Sequence, residues 1–304
     1  MNKKFTILIP TKNRLNDLKY TLNRLSFLFI EYGLHCIICD DGSTDGTFEF
    51  VSTNYPNIKI IRNDFSKGIH YTRNILLNNV KTPFALSIDD DAHFITKNVL
   101  KVVEDFFSTN NKVGLISFRA FWSKTSPKAI STNQKSGRVK SFGAVSFAIR
   151  MEAWKDIPKF PNWFVFYGEE DFAAYQMYKK DWQIHYLPEV LVHHRVDVKS
   201  RKTDSDYTIR LRRSLRSGWY LYFLFYPFRM IPRKMAFSIW VQFKLKVFKG
   251  DFQAFKAISL ALIDLICAIP KIIKNSNRLT QKEYDAYQKL EETKLYWKPE
   301  NKAR

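Results

Sequence analysis

Four short apolar runs, at residues 5–9, 35–39, 58–61 and 84–88, alternate with stretches of helical spacing at 15–30, 44–55 and 68–79. No other feature of the chain constrains its fold as tightly. Runs of this length bounded by turn-forming residues read as buried strands. Leu15, Leu18, Leu22, Leu25 and Leu28 recur three or four apart, as one face of a helix does. Strand and helix in strict alternation require parallel βαβ units, with helices covering both faces of one sheet. Ligands of such sheets bind beyond the carboxyl ends of the strands. Pro10 and Thr11 follow the first run, Asp40 and Asp41 the second, and Asp89, Asp90 and Asp91 the fourth. The fold therefore gathers separate polar groups at one edge.

Three adjacent carboxylates repel one another, and a hard divalent cation with oxygen ligands relieves that repulsion. A bland reading stands beside it, because Asp also caps helices. The same pair of readings applies to Asp40-Asp41-Gly42-Ser43, either a ligand-facing strand end or a turn. Gly68 permits close approach of backbone to a ligand, and Arg73 suits phosphate or base contact. Glu169, Glu170 and Asp171 form a second acidic run. Crowded acids suppress one another's ionisation, so one of them suits proton abstraction. His193 and His194 could supply an imidazole ligand, since consecutive residues of a strand face opposite sides. No GxxxxGK[ST] or GxGxxG loop occurs.

The composition is 45% hydrophobic and 16% aromatic, enough to bury a sizeable core. Cys36, Cys39 and Cys267 cannot all pair and read as reduced, cytosolic thiols. The first apolar run is too short for a signal peptide. No uninterrupted apolar segment reaches the roughly 18–20 residues of a membrane span. The best candidates are 219–228 and 257–269, and Asp264 interrupts the second, so a spanning helix is not expected. Residues 113–118 and 142–150 read as further strands, and the polar stretch 123–137 as a loop of the length of a functional lid. The net charge of +20 is uneven: residues 195–304 hold 24 Lys/Arg against 10 Asp/Glu, or +14. A basic rear suggests an anionic partner.

The ordered set Phe5 to Arg14, Cys39-Asp40-Asp41-Gly42-Ser43-Thr44-Asp45-Gly46-Thr47, Gly68 through Arg73-Asn74, and Ile88-Asp89-Asp90-Asp91 resembles the family 2 glycosyltransferases. Tyr167-Gly168-Glu169-Glu170 before Trp182, and Pro188 through His193-His194-Arg195, look like that family's later motifs. The resemblance covers residues 4–200. It implies an α/β GT-A fold: a Rossmann-like, mostly parallel central sheet with helices on both faces. A C-terminal α-helical extension follows, with domains drawn at 1–204 and 205–304. Pro10, Thr11, Arg14, Asp41, Lys67, Gly68, Arg73, Asp89 and Asp90 are the implied nucleotide-sugar contacts, with Asp41 on the base. Asp89 and Asp91, with His194 or His193, would hold Mn²⁺ or Mg²⁺. Glu170, or Asp171 after a one-residue gap, would be the catalytic base. The run Phe172-Ala173-Ala174-Tyr175-Gln176 departs from the family by lacking a second acid and an Arg.

The resemblance implies an inverting transferase that uses a UDP-, GDP- or dTDP-sugar and a glycan or lipid-linked acceptor in cell-surface polysaccharide synthesis. The rear mixes Trp, Tyr and Phe with Arg and Lys, which favours an anionic membrane interface without spanning it. Its aromatics could equally pack a helical domain or a homodimer. The expected location is cytoplasmic, peripheral at the inner face of the cell membrane. Two other functions fit parts of the chain: nucleic-acid binding through the basic rear, against which the acidic strand ends argue, and an inactive transferase-like scaffold.

Overall fold

The structure, a computed structural model, describes residues 4–196 and 206–299. Strand β1 (Phe5–Thr11) is buried along its whole length. It lies between β2 (His35–Asp40) and β4 (Phe84–Ile88), and β3 (Lys59–Arg62) flanks β2; all three pairings are parallel. Helices α1 (Leu15–Ile30), α2 (Thr47–Asn54) and α3 (Ile69–Asn78) connect these strands. Alternate residues of β1 enter different cores, as the two-residue repeat of a strand demands. Phe5, Ile7 and Ile9 pack with the leucine face of α1. Leu8 packs on the opposite side with Leu76 and Leu77 of α3.

Beyond β4 the sheet becomes mixed. Its order is β3-β2-β1-β4-β8-β6-β9-β5, with β7 beside β9. Strand β8 (Ser146–Arg150) is antiparallel to both β4 and β6 (Val113–Trp122). Strand β9 (Gln183–His194) runs parallel to β6, while β5 (Ala92–Phe94) and β7 (Gly137–Arg138) pair with it antiparallel. The parallel arrangement expected from the alternation thus holds for the first four strands in chain order. The β5–β9 pairing has a direct consequence: Ala92 lies opposite His194, which carries the end of β9 to the Asp triplet.

Several elements escape the periodicity. Helix α4 (Val99–Thr109) buries Val99, Leu100, Val103 and Phe107 at helical spacing. Helix α5 (Met151–Asp156) is a short connection, and α6 (Glu169–Lys179) begins at the second acidic run. The stretch expected as a lid is tied down: Arg119 donates to the Ile130 carbonyl at 2.8 Å, and Tyr186 to Gln134 at 2.5 Å.

Helices α7 (Tyr207–Phe225), α8 (Ile231–Leu245), α9 (Phe252–Asn275) and α10 (Gln281–Gln288) form the rear. They do not stand apart. Phe164, Phe172 and Tyr175 share one buried cluster with Trp219, Leu224, Ile258 and Tyr287. The chain then returns to the sheet, where the Trp297 amide donates to the Ala120 carbonyl at 2.8 Å. The boundary drawn between 204 and 205 lies outside the described residues. Helix α9 is, by length and composition, long and apolar enough to cross a membrane. Lys256, Asp264, Lys271 and Lys274 interrupt its apolar run, and the Asp264 carboxylate is paired with Arg212 (2.7 Å) and Arg216 (3.2 Å) of α7.

Candidate active site

The carboxyl ends of β1, β2 and β4 open onto a cavity of about 920 Å³, within the range of ligand pockets. Its lining includes Pro10, Thr11, Arg14, Asp41, Lys67, Gly68, Arg73, Asp89, Asp90, Asp91, Glu170 and His194. Twelve of the fourteen candidates from the sequence therefore meet in one place. The other two fall outside the lining. His193 points the other way along β9, its Nε2 lying 2.8 Å from the Ser123 carbonyl. Asp171 is exposed, one residue round α6 from Glu170.

Asp89, Asp91 and His194 each offer a ligand atom, all within 4.8 Å of one another. Asp91 Oδ1 is buried and faces His194 Nε2 at 3.0 Å. A buried carboxylate oxygen beside an imidazole and a second carboxylate is a donor set suited to a hard or borderline divalent cation. Burial opposes the ionisation of Asp91, but His194, Arg14 and Arg195 outweigh it and hold its carboxyl below the usual range. Asp89 is pushed up by burial and by Asp91, against the pull of Arg73.

Asp90, expected among the nucleotide-sugar contacts, holds the floor together. Its carboxylate accepts from Thr11 Oγ1 at 2.8 Å and from Arg14 at 3.0 Å, joining the end of β1 to the triplet. Its backbone carbonyl accepts from Thr21 at 2.6 Å. Burial pushes its pKa up to about 7, with Arg14 opposing.

Asp41, expected as the base contact, lines the pocket and is held by the chain around it. It accepts four hydrogen bonds from its own chain: Asn63 (2.8 Å), Ser66 (2.7 Å), and the amides of Lys67 (2.8 Å) and Gly68 (3.0 Å). Its lone pairs are filled, so it shapes the Lys67–Gly68 wall of the pocket. Burial opposes these hydrogen bonds and loses, leaving its pKa lowered. The turn after it needs Gly42, whose φ is +73° and where a Cβ would lie 2.9 Å from the Phe65 backbone.

Arg73 is likewise committed within the protein. It bridges Glu169 (2.8 Å) and Asp89 (2.9 Å), tying the second acidic run to the first. His70 Nε2 holds the other oxygen of Glu169 at 2.8 Å. Burial raises the Glu169 pKa, but His70 and Arg73 prevail and bring it down to about 2. Glu170 has no ion pair among the described residues; burial and the Glu169 charge raise its pKa well above the usual carboxylate range. The segment entering α6 is strained: Val165 (φ 71°) and Tyr167 (φ 67°) adopt the left-handed region at the pocket edge.

Three lining residues had no motif to announce them. Arg213 reaches the pocket from α7. Trp122, at the end of β6, stacks edge-on against His194 at 4.3 Å and against Tyr296 at 4.7 Å. Tyr296 comes from the returning C-terminal strand of chain, about which local periodicity says nothing.

The sequence profile of Glycosyl transferase family 2 matches residues 6–157. With the parallel front sheet, the Asp triplet at its edge and that match, the chain belongs to glycosyl transferase family 2. Solved structures share its fold. One is GalNAc-T7 with UDP, GalNAc and Mn²⁺, at 13% identity and a TM-score of 0.58, covering 74% of this chain and 48% of that one. A second is the mannosyltransferase PcManGT from Pyrobaculum calidifontis with GDP-Man and Mn²⁺, at 15% identity and 0.55, covering 95% and 79%. A third is S. aureus TarS 1-349 with UDP-GlcNAc, at 19% identity and 0.52, covering 72% and 66%. The chain thus spans about half the length of GalNAc-T7 and just under two thirds of this TarS fragment. A search of curated proteins finds no match.

Proposed function

We propose that this protein is an inverting glycosyltransferase that moves a sugar from a nucleoside-diphosphate donor to an acceptor hydroxyl. The observation that carries the reading is the joint presence, in one pocket, of the Asp89–Asp91–His194 group and an ion-pair-free Glu170. The fold neighbours named with UDP-GlcNAc and GDP-Man give the donor class its support. Asp89, Asp91 and His194 are the residues that would hold Mn²⁺ or Mg²⁺. Such an ion, when bound, supplies positive charge to the diphosphate. The wall formed by Pro10, Thr11, Lys67 and Gly68 receives the nucleotide, with Asp41 setting its shape. Arg213, which forms no ion pair or hydrogen bond among the described residues, is a free guanidinium for phosphate oxygens.

Glu170 is the base. Burial and the Glu169 charge raise its pKa well above the usual carboxylate range, which makes it a stronger proton acceptor when ionised. It takes the proton of the acceptor hydroxyl as that oxygen bonds to the anomeric carbon. The bond from that carbon to the diphosphate breaks on the opposite side, and the nucleoside diphosphate leaves. Arg73 keeps Glu169 ionised and at fixed distance from Asp89, so that base and phosphate ends of the pocket stay in register. The acceptor class is a glycan or a lipid-linked saccharide in cell-surface polysaccharide synthesis, handled on the cytoplasmic side of the cell membrane.

The test is a panel of UDP-, GDP- and dTDP-sugars with Mn²⁺ or Mg²⁺, read by thermal stabilisation and donor hydrolysis. At least one donor should raise Tm only with metal present. If neither any nucleotide sugar nor any nucleoside diphosphate does so, the reading fails.

A further inference from the structure

Helix α9 is apolar on both faces. Its inner face buries four alanines, Ala254, Ala257, Ala261 and Ala268, together with Ile258, Leu265 and Ile272, against α7 and its neighbours. Its outer face also carries large apolar residues: Phe252 is 82% exposed, Ile266 65% and Ile273 68%. These outer residues recur with the helical period, so they form one continuous strip, not scattered exceptions. Helix α8 extends it. Phe237 and Trp240 are 65% and 54% exposed. Ring contacts of Trp240 with Phe248 (6.0 Å) and Phe243 with Phe255 (6.2 Å) join α8, the turn after it and the start of α9. An apolar surface of this kind marks something that covers it.

Charge identifies what covers it. Between Tyr207 and Lys282 there are 15 Lys/Arg and 2 Asp/Glu. Both acids are already engaged: Asp251 caps α9 through the Ala254 amide at 2.8 Å, and Asp264 is held by Arg212 and Arg216. Lys244, Lys249, Lys256, Lys271 and Lys274 are exposed and form no ion pair among the described residues. A second copy of the chain would bring the same uncompensated positive charge face to face. A nucleic acid would match the charge but leave Phe and Ile chains against phosphate and water. An anionic bilayer satisfies both demands, taking apolar side chains at the acyl boundary and ammonium groups among the headgroups.

We propose that the outer face of α8 and α9 is a docking surface for an anionic lipid bilayer, on which α9 lies flat. Lying flat follows from the inner face. Asp264 and the alanine stripe fasten α9 sideways to α7, so only one flank is open to lipid. Helix α7 also delivers Arg213 to the pocket, which ties the pocket to the docked surface. The inference names the surface behind the proposed location, and it holds or fails independently of the sugar chemistry.

The full chain is floated with phosphatidylcholine vesicles, with and without phosphatidylglycerol, at low and high salt. The expected result is binding to the anionic vesicles that salt weakens. The double variant Trp240→Asp/Ile266→Asp should lower that binding by roughly tenfold or more, with an unchanged circular-dichroism melting point as the control for folding. Three results overturn the proposal. The first is no flotation with anionic vesicles at low salt. The second is equal binding by the folded variant. The third is a dimer by light scattering that the variant abolishes, which would give the face to a second copy. Resistance of the membrane-bound protein to alkaline carbonate extraction would overturn the flat placement in favour of a span. A loss of donor binding in the thermal-shift panel would leave all of these outcomes untouched.

Discussion

Glu169 lies between His70 and Arg73, while Glu170, one residue on, lines the pocket without an ion pair among the described residues. Neighbours in sequence thus have opposite electrostatics. Replacing Glu170 with Gln should lower kcat by about 10²–10⁴-fold and leave metal-dependent nucleotide binding intact, whereas Asp171→Asn should change kcat little. Activity should rise with pH through the Glu170 pKa, because the base must be ionised, and the acidic limb should sit above that of an ordinary Glu. The same shift makes a stability prediction. A carboxyl whose folded pKa is raised loses its favourable contribution as pH climbs through that pKa. At neutral pH Glu170 is therefore a liability, and Glu170→Gln should raise Tm while it abolishes turnover. Glu169 behaves in the reverse sense. Its folded pKa is about 2 against an ordinary 4.5, so its contribution is present above about 4.5 and is lost as pH falls toward 2. His70→Ala would leave that buried charge short of a partner and should cost about 3 kcal/mol in a denaturant titration. At the metal group, Asp91→Asn should lower metal-dependent activity at least about a hundredfold. Unchanged function in that variant would favour the inactive-scaffold reading.

Among the elements, the front strands and helices were legible because each carries its own period. The leucines of α1 and the buried runs of β1, β2 and β4 report burial directly in sequence. Short or mixed elements carried no such signal. Strand β5 has three residues, and it exists because β9 supplies its partners from a hundred residues away. Helix α9 was half read: its apolar content was visible, but which face packs inward depends on α7. Its alanine stripe predicts that bulk is not tolerated there. Ala261→Leu should cost about 1–3 kcal/mol by overpacking the α7–α9 contact, measurable as a fall in the urea midpoint with an unchanged slope. The same substitution at exposed Ile263 should be nearly neutral.

At the scale of the whole molecule, the rear helices complete a core that Phe164, Phe172 and Tyr175 begin. The chain then returns to β6 and brings Tyr296 to the pocket. Residues 1–204 expressed alone should therefore expose a large apolar face, bind a hydrophobic dye and aggregate. A soluble fragment with the full melting transition would show instead that the front folds by itself. The sequence by itself determined the class of fold and the edge at which most candidate residues gather. Alternating periods specify βαβ units, and such units carry their polar strand ends to one edge whatever the rest of the chain does. Tertiary structure alone decided how those residues divide the work. Asp41 and Arg73 turned inward because their partners come from other elements. His194 met Asp91 because β9 pairs with β5, and Glu170 was left uncompensated because His70 and Arg73 both engage Glu169. Contacts between distant segments leave no periodic trace in sequence, and in this protein they set the charge of each group in the pocket.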